Sequence, residues 1–127
     1  MSELIQNGKQ GRDWRMYLDD MISFAEKVLA YTEGVDRLRF EESGLTYDAT
    51  VRNLELIGEA ATHIPTSVRD FASDVQWREI ISMRNRLIHG YLGIDNDTLW
   101  SVIQEDVPQL LGVLRKLKKA ADENQIR

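Results

Sequence analysis

Nine consecutive residues, Met83-Arg84-Asn85-Arg86-Leu87-Ile88-His89-Gly90-Tyr91, hold two arginines, an amide, one of the chain's two histidines and a tyrosine. A histidine titrating near neutrality can take the proton of an RNA 2′-hydroxyl or return one to a leaving oxygen. An arginine stabilises the charge that builds on the phosphoryl oxygens. With the 2′-hydroxyl as nucleophile, this chemistry needs no metal. A single His89 cannot be acid and base in the same step, and His63 is a poor second. A two-fold dimer would supply both roles by setting two copies of the Arg84/His89 pair across one cleft.

The stretch reads as a helix, and the positions on that helix are unequal. At about 100° per residue, Ile80, Ile81, Met83, Leu87 and Ile88 share one apolar sector. Asn85 and His89 are i,i+4 neighbours on the opposite side. Arg84 falls in the middle of the apolar sector. A buried guanidinium without a partner is costly, so Arg84 requires a paired acid such as Glu59, an interface, or an opening. Arg78 and Arg86 add positive charge around it and are candidates for contacting an RNA backbone. Tyr91, just past Gly90, is by default an amphipathic rim residue.

Composition narrows the alternatives. The chain has 127 residues, enough for one domain with a core. Its content of 43% hydrophobic and 29% charged residues suits a globular protein. No apolar run approaches the roughly 18 residues of a membrane span, and residues 1–11 carry no secretory signal. With no cysteine, disulfides, thiolate catalysis and cysteine-based zinc sites are excluded. These features suggest a cytoplasmic protein with no membrane partner, no cofactor and no metal site. The net charge of −5 argues against unspecific nucleic-acid binding. Positive charge gathers at Arg78, Arg84 and Arg86, and again at Arg115, Lys116, Lys118 and Lys119. The second cluster has the ordinary reading of a solvated last helical turn that complements the helix dipole.

The elements that position the motif are helical. Residues 1–11 form a polar lead-in. Asp13 caps a first helix to about Tyr31, with Leu18, Met21, Ala25, Val28 and Tyr31 on its apolar half. Residues 35–45 form a connection with room for one helical turn. Thr46 is the expected cap of a second helix, Tyr47 to about His63, with Val51, Leu54, Ile57, Gly58 and Ala61 as its core stripe. The small residues on that face permit close approach of another helix. His63, at the end of this helix, has the ordinary role of a solvent-exposed complement to the dipole. A turn or short helix is expected around Val68 to Phe71, then a third helix from about Gln76 to Ile88. Asp95, Asn96 or Asp97 caps a fourth helix, which Pro108 should kink near Gln104 to Pro108. No period-2 run appears. The expectation is an all-α bundle of four main helices over residues 12–121, with 122–127 as a tail.

As Arg84-Asn85-x-x-x-His89-x-Tyr91, the motif resembles the R-polar-x(4–6)-H signature of the HEPN superfamily, and the H-x-Y extension looks like its HepT branch. The run Asp48 to Ala60, with Asn53-Leu54-Glu55-Leu56-Ile57-Gly58-Glu59-Ala60, is similar to that branch's second helix. Trp77-Arg78-Glu79-Ile80, Leu99-Trp100-Ser101-Val102-Ile103 and Asp106-Val107-Pro108 also fit in order. The resemblance implies a HEPN-type bundle with a kinked last helix. It also implies a homodimeric, metal-independent ribonuclease toxin of a type VII-like toxin–antitoxin pair. Arg84 and His89 would be catalytic, with Asn85 orienting them. The partner antitoxin would be a minimal, MntA-like nucleotidyltransferase that transfers AMP from ATP onto Tyr91. Some family members act on tRNA. The competing reading is a non-catalytic helical subunit that holds substrate or nucleotide for a separate nucleotidyltransferase, which the acidic composition suits better.

Overall fold

The computed structural model describes residues 13–89 and 95–126, and among them it holds helices and no strand. In chain order these are α1 (Trp14–Thr32), α2 (Arg37–Glu42), α3 (Gly44–Ala61), α4 (Thr66–Phe71), α5 (Trp77–His89) and α6 (Asn96–Ser101). A π-helical turn (Val102–Asp106) then leads into α7 (Val107–Asp122). The protein is an all-α bundle of four longer helices, α1, α3, α5 and α7.

Polar residues at the helix starts fix the boundaries, because each supplies an acceptor for an otherwise orphaned N–H. The Asp13 carboxylate accepts from the Arg15 amide at 3.0 Å. Asp36 does the same for Arg39 at 2.9 Å. Ser43, not Thr46, caps α3 by accepting from the Thr46 amide at 3.2 Å, so this helix begins earlier than expected. It also ends earlier, at Ala61. There the Arg69 guanidinium donates to the carbonyls of Ala61 and Ile64, each at 2.9 Å, and closes the C-terminus.

α1 packs against α3 and α7, and α5 packs against α3. Leu18, Met21, Ala25 and Val28 of α1 are buried, as are Leu54 and Ile57 of α3 and Leu111, Leu114 and Leu117 of α7. Tyr31, expected on the apolar half of α1, is instead exposed, and Val51 is only half-buried. Phe40 contributes from α2, packed between the rings of Tyr47 and Trp100 at centroid distances of 5.2 and 5.4 Å. At the C-terminus, Ile126 is buried and its carbonyl accepts from Arg15 at 3.4 Å.

α3 and α5 meet closely at Gly58. A Cβ there would overlap the Arg84 Cβ and lie 2.9 Å from Arg84 Cγ and 3.0 Å from the Ile80 carbonyl oxygen. α5 therefore rests on α3 at a distance that only glycine allows. Ile80, Ile81, Met83 and Leu87 remain half-buried and Ile88 is exposed. Opposite, α5 and α7 do not close on each other. A groove of about 190 Å³ lies between them, with Ile57, Ile80, Met83, Val107 and Leu110 on its walls and Asp106 at its edge.

The expected interruption near Pro108 takes the form of the π turn, in which the Val107 amide donates to the Val102 carbonyl. Leu99, Ile103, Val107 and Leu111 are all buried, at a spacing of four. On an ideal α-helix each such step drifts by about 40°. The wider π turn takes part of that rotation back and keeps the four residues on the core side. Pro108, the residue after Val107, has no N–H to donate to the preceding turn, so the regular hydrogen-bond ladder is interrupted there as well.

Two outcomes follow from this packing. Gly58→Ala should lower unfolding stability by about 1–3 kcal/mol, read from the denaturant midpoint, despite alanine's better helix propensity. Burial, and next the charge of Glu105, push the Asp106 carboxyl above its ordinary range. The folded state therefore holds that proton more readily than the unfolded chain, and the ionised group opposes folding at neutral pH. Asp106→Asn should raise the melting temperature at pH 7, and the gain should fade as the pH is lowered towards about 4, the unfolded carboxylate range.

Candidate active site

The site is built on the side of α5 that rests on α3. Because Gly58 carries no side chain, the stem of Arg84 lies against the α3 backbone. The next α3 residue, Glu59, meets its head: Arg84 Nη2 donates to Glu59 Oε2 at 2.5 Å. The other terminal nitrogen, Nη1, donates to Asn85 Oδ1, also at 2.5 Å. Arg84 Nε is buried and has no hydrogen-bond partner among the described residues. The Arg84 side chain keeps 27% of its exposure, so the guanidinium is sheltered yet reachable. Its place on an apolar helix face is resolved by a paired acid, the Glu59 carboxylate.

Glu59 is shared. Its second oxygen, Oε1, lies 3.7 Å from His63 Nε2. The His63 ring stacks on Tyr17 of α1, with centroids 4.3 Å apart and planes inclined by 11°. His63 is thus more than the solvent-facing residue expected at a helix end. The sequence signal that could have found this was its i,i+4 spacing from Glu59; the stack on Tyr17 has no local signal.

Of the other residues singled out from the sequence, Arg78 and Arg86 are both exposed on α5. His89 is the last residue of α5, and its side chain lies outside the described residues, as does Tyr91 altogether. The structure brings Arg84, Asn85 and Glu59 together. It describes no contact of His89 or Tyr91 with them.

From Asp95 the chain is tied down by polar contacts. The Asp95 carboxylate accepts from the Thr98 amide at 2.7 Å. That backbone hydrogen bond, followed by the Thr98 side chain and with a contribution from Arg86, holds its carboxyl below the ordinary range. Tyr47 of α3 donates its hydroxyl to Asn96 Oδ1 at 2.7 Å, and Asn96 Nδ2 donates to Glu41 at 2.9 Å. Arg37 joins the cluster, donating to Glu41 at 2.9 Å and pairing with Asp97. Burial, and next the charges of Glu41 and Asp48, raise the Tyr47 hydroxyl above its usual value, so it remains a proton donor.

Part of the C-terminal basic cluster is paired with acids of α1. Arg115 meets Glu26 at 2.9 Å and Lys118 meets Asp19 at 2.8 Å. Among the described residues, no group of three or more side chains could hold a metal ion, and no helix is long and apolar enough to cross a membrane.

The family model described as Ribonuclease HepT-like matches residues 21–117. The chain belongs to the HepT-like ribonuclease family. A protein of Thermococcus cleftensis named "Probable ribonuclease HepT" is 36% identical over 108 residues, covering 85% of this chain and 98% of that relative. A protein of Methanocaldococcus jannaschii, named as a "Putative RNase", is 37% identical over 99 residues, 78% of this chain and 91% of its own length. Another so named, from Caldanaerobacter subterraneus, is 34% identical over 96 residues, 76% of this chain and 86% of the relative. No solved structure matches the chain. The matched span of this HepT-like domain runs from within α1 into α7 and includes Gly58, Glu59, Arg84, Asn85, His89 and Tyr91.

The polar cluster after the motif predicts a measurable contribution. Tyr47→Phe removes the bond to Asn96 while keeping the ring against Phe40. It should cost about 0.5–1.5 kcal/mol in chemical denaturation with an unchanged helical circular-dichroism spectrum.

Proposed function

We propose that this HepT-like protein is a metal-independent endoribonuclease and the toxin of a type VII-like toxin–antitoxin pair. The observation that carries the reading is the Arg84 guanidinium, anchored by Asn85 and Glu59 yet still reachable, in a chain of this family. In the proposed reaction, His89 removes the proton of a 2′-hydroxyl, whose oxygen attacks the adjacent phosphorus. Arg84 stabilises the negative charge on the non-bridging oxygens. His89 of a second protomer protonates the departing 5′-oxygen, leaving a 2′,3′-cyclic phosphate and a 5′-hydroxyl. Asn85 orients Arg84, and Arg78 and Arg86 contact the RNA backbone.

This reaction requires a homodimer, with two motifs lining one cleft. The half-buried Ile80, Ile81, Met83 and Leu87 and the exposed Ile88 support α5 as part of the dimer surface. The proposed off-switch is transfer of AMP from ATP onto Tyr91 by a partner MntA-like nucleotidyltransferase. The added phosphate and nucleoside would bring negative charge and bulk beside the motif and repel RNA. The substrate is RNA, with tRNA one class to test.

The net charge of −5 favours the second reading, a helical subunit that binds nucleotide or substrate without cutting it. Incubation of the protein with total RNA in the presence of a chelator separates the two, once intact mass has shown Tyr91 to be unmodified. Cleavage that persists with chelator and falls by at least about 100-fold in both Arg84→Ala and His89→Ala is the expected result. No cleavage by the unmodified wild type would instead support the binding subunit.

A further inference from the structure

We infer that Glu59 is a positioning residue for Arg84 in RNA cleavage, itself backed by His63 and Tyr17; this role rests on the ribonuclease reading above. The Glu59 carboxylate is divided between two partners. Oε2 accepts from Arg84 Nη2 at 2.5 Å, and Oε1 faces His63 Nε2 at 3.7 Å. His63 is held in turn by its stack on Tyr17 of α1, at 4.3 Å. A line of contacts thus runs from α1 through the end of α3 to the guanidinium on α5.

The geometry fits support of Arg84 better than masking of it. A carboxylate that masked the guanidinium would bridge two of its nitrogens side by side, in the paired arrangement that a phosphate would otherwise take. Glu59 binds one terminal nitrogen only and turns its second oxygen away towards His63. Asn85 binds the other terminal nitrogen, and Nε is buried. The guanidinium plane is therefore fixed at two corners. The described bonds use one hydrogen on each terminal nitrogen and leave the second for a phosphoryl group. A long arginine side chain loses much rotamer freedom when it is held, and a carboxylate that holds it beforehand removes that loss from the reaction step.

The test combines kinetics on a defined RNA with nuclear magnetic resonance of the Arg84 Nε–Hε group, assigned by its disappearance in Arg84→Lys. Glu59→Gln keeps the shape and removes the charge. It should fold, melt within about 3 °C of wild type, and lower kcat by about 10- to 100-fold with KM altered less than about threefold. The Arg84 Nε–Hε signal should shift and exchange faster with solvent. Glu59→Asp should recover part of kcat. His63→Phe keeps a ring on Tyr17 and removes the nitrogen facing Glu59; it should lower kcat by about two- to fivefold. Its combination with Glu59→Gln should be no worse than Glu59→Gln alone, because His63 acts through Glu59.

Glu59→Gln cleaving within about twofold of wild type, cleaving faster, or changing KM alone would overturn the positioning role. Should Glu59→Gln not fold, His63→Phe carries the same reading, and an unchanged kcat and Arg84 signal there would overturn it. A wild type that cleaves no RNA overturns the ribonuclease reading separately. In that case an Arg84 signal unmoved by Glu59→Gln overturns the positioning as well, while a shifted one upholds the coupling.

Discussion

The contact between Gly58 and Arg84 is the constraint on which the rest of the site depends. Two adjacent α3 residues meet one α5 residue in two ways. The first has no side chain and lets the arginine stem lie against backbone. The second has a carboxylate and meets the guanidinium. A half-enclosed cation with no acceptor there would be unfavourable, and a larger residue at 58 would leave no room for the stem. Packing and electrostatics are thus solved by neighbouring positions on one helix.

Much of this arrangement was legible in the sequence. The apolar stripes of α1, α3 and α7 show in their periodicity. Arg84 stands out because it breaks the stripe of α5, and such a break demands a partner. Features set by contacts remote in sequence were not legible. Phe40 lies on a six-residue helix too short to show a period, yet it is fully buried. Asn53 and Thr50 are buried polar residues on α3 that a hydrophobic pattern passes over. The stack of His63 on Tyr17 joins the segment just past α3 to α1 through residues far apart in the chain, a pairing that neither helix's own pattern signals. Ser43 displaced Thr46 as a cap because both are good acceptors, and only the backbone path decides between them.

The charge pattern also reads differently in three dimensions. A chain of net charge −5 that acts on RNA needs its positive groups concentrated where RNA would lie. Arg37 is drawn into the cluster around Asn96, while Arg115 and Lys118 pair with acids on α1. These exposed pairs add little stability individually. Their larger effect is on the field, since they neutralise cations elsewhere, while α5 carries Arg78, Arg84 and Arg86 against one acid of its own, Glu79.

The π turn has a consequence for how the last helix can evolve. It behaves as one extra residue threaded into an otherwise continuous helix, so the apolar patterns before and after it are one residue out of step in the sequence while both face the core. Losing one residue between 102 and 106 would restore an ordinary helix and leave everything beyond it facing as before, because the turn has already absorbed that residue's rotation of about 100°. Leu111, Leu114 and Leu117 would stay on the core side, and Arg115 and Lys118 would keep their acidic partners on α1. Single-residue deletions should therefore be more frequent among relatives in this short span than within α7, where each would turn the remainder of the helix by about 100°.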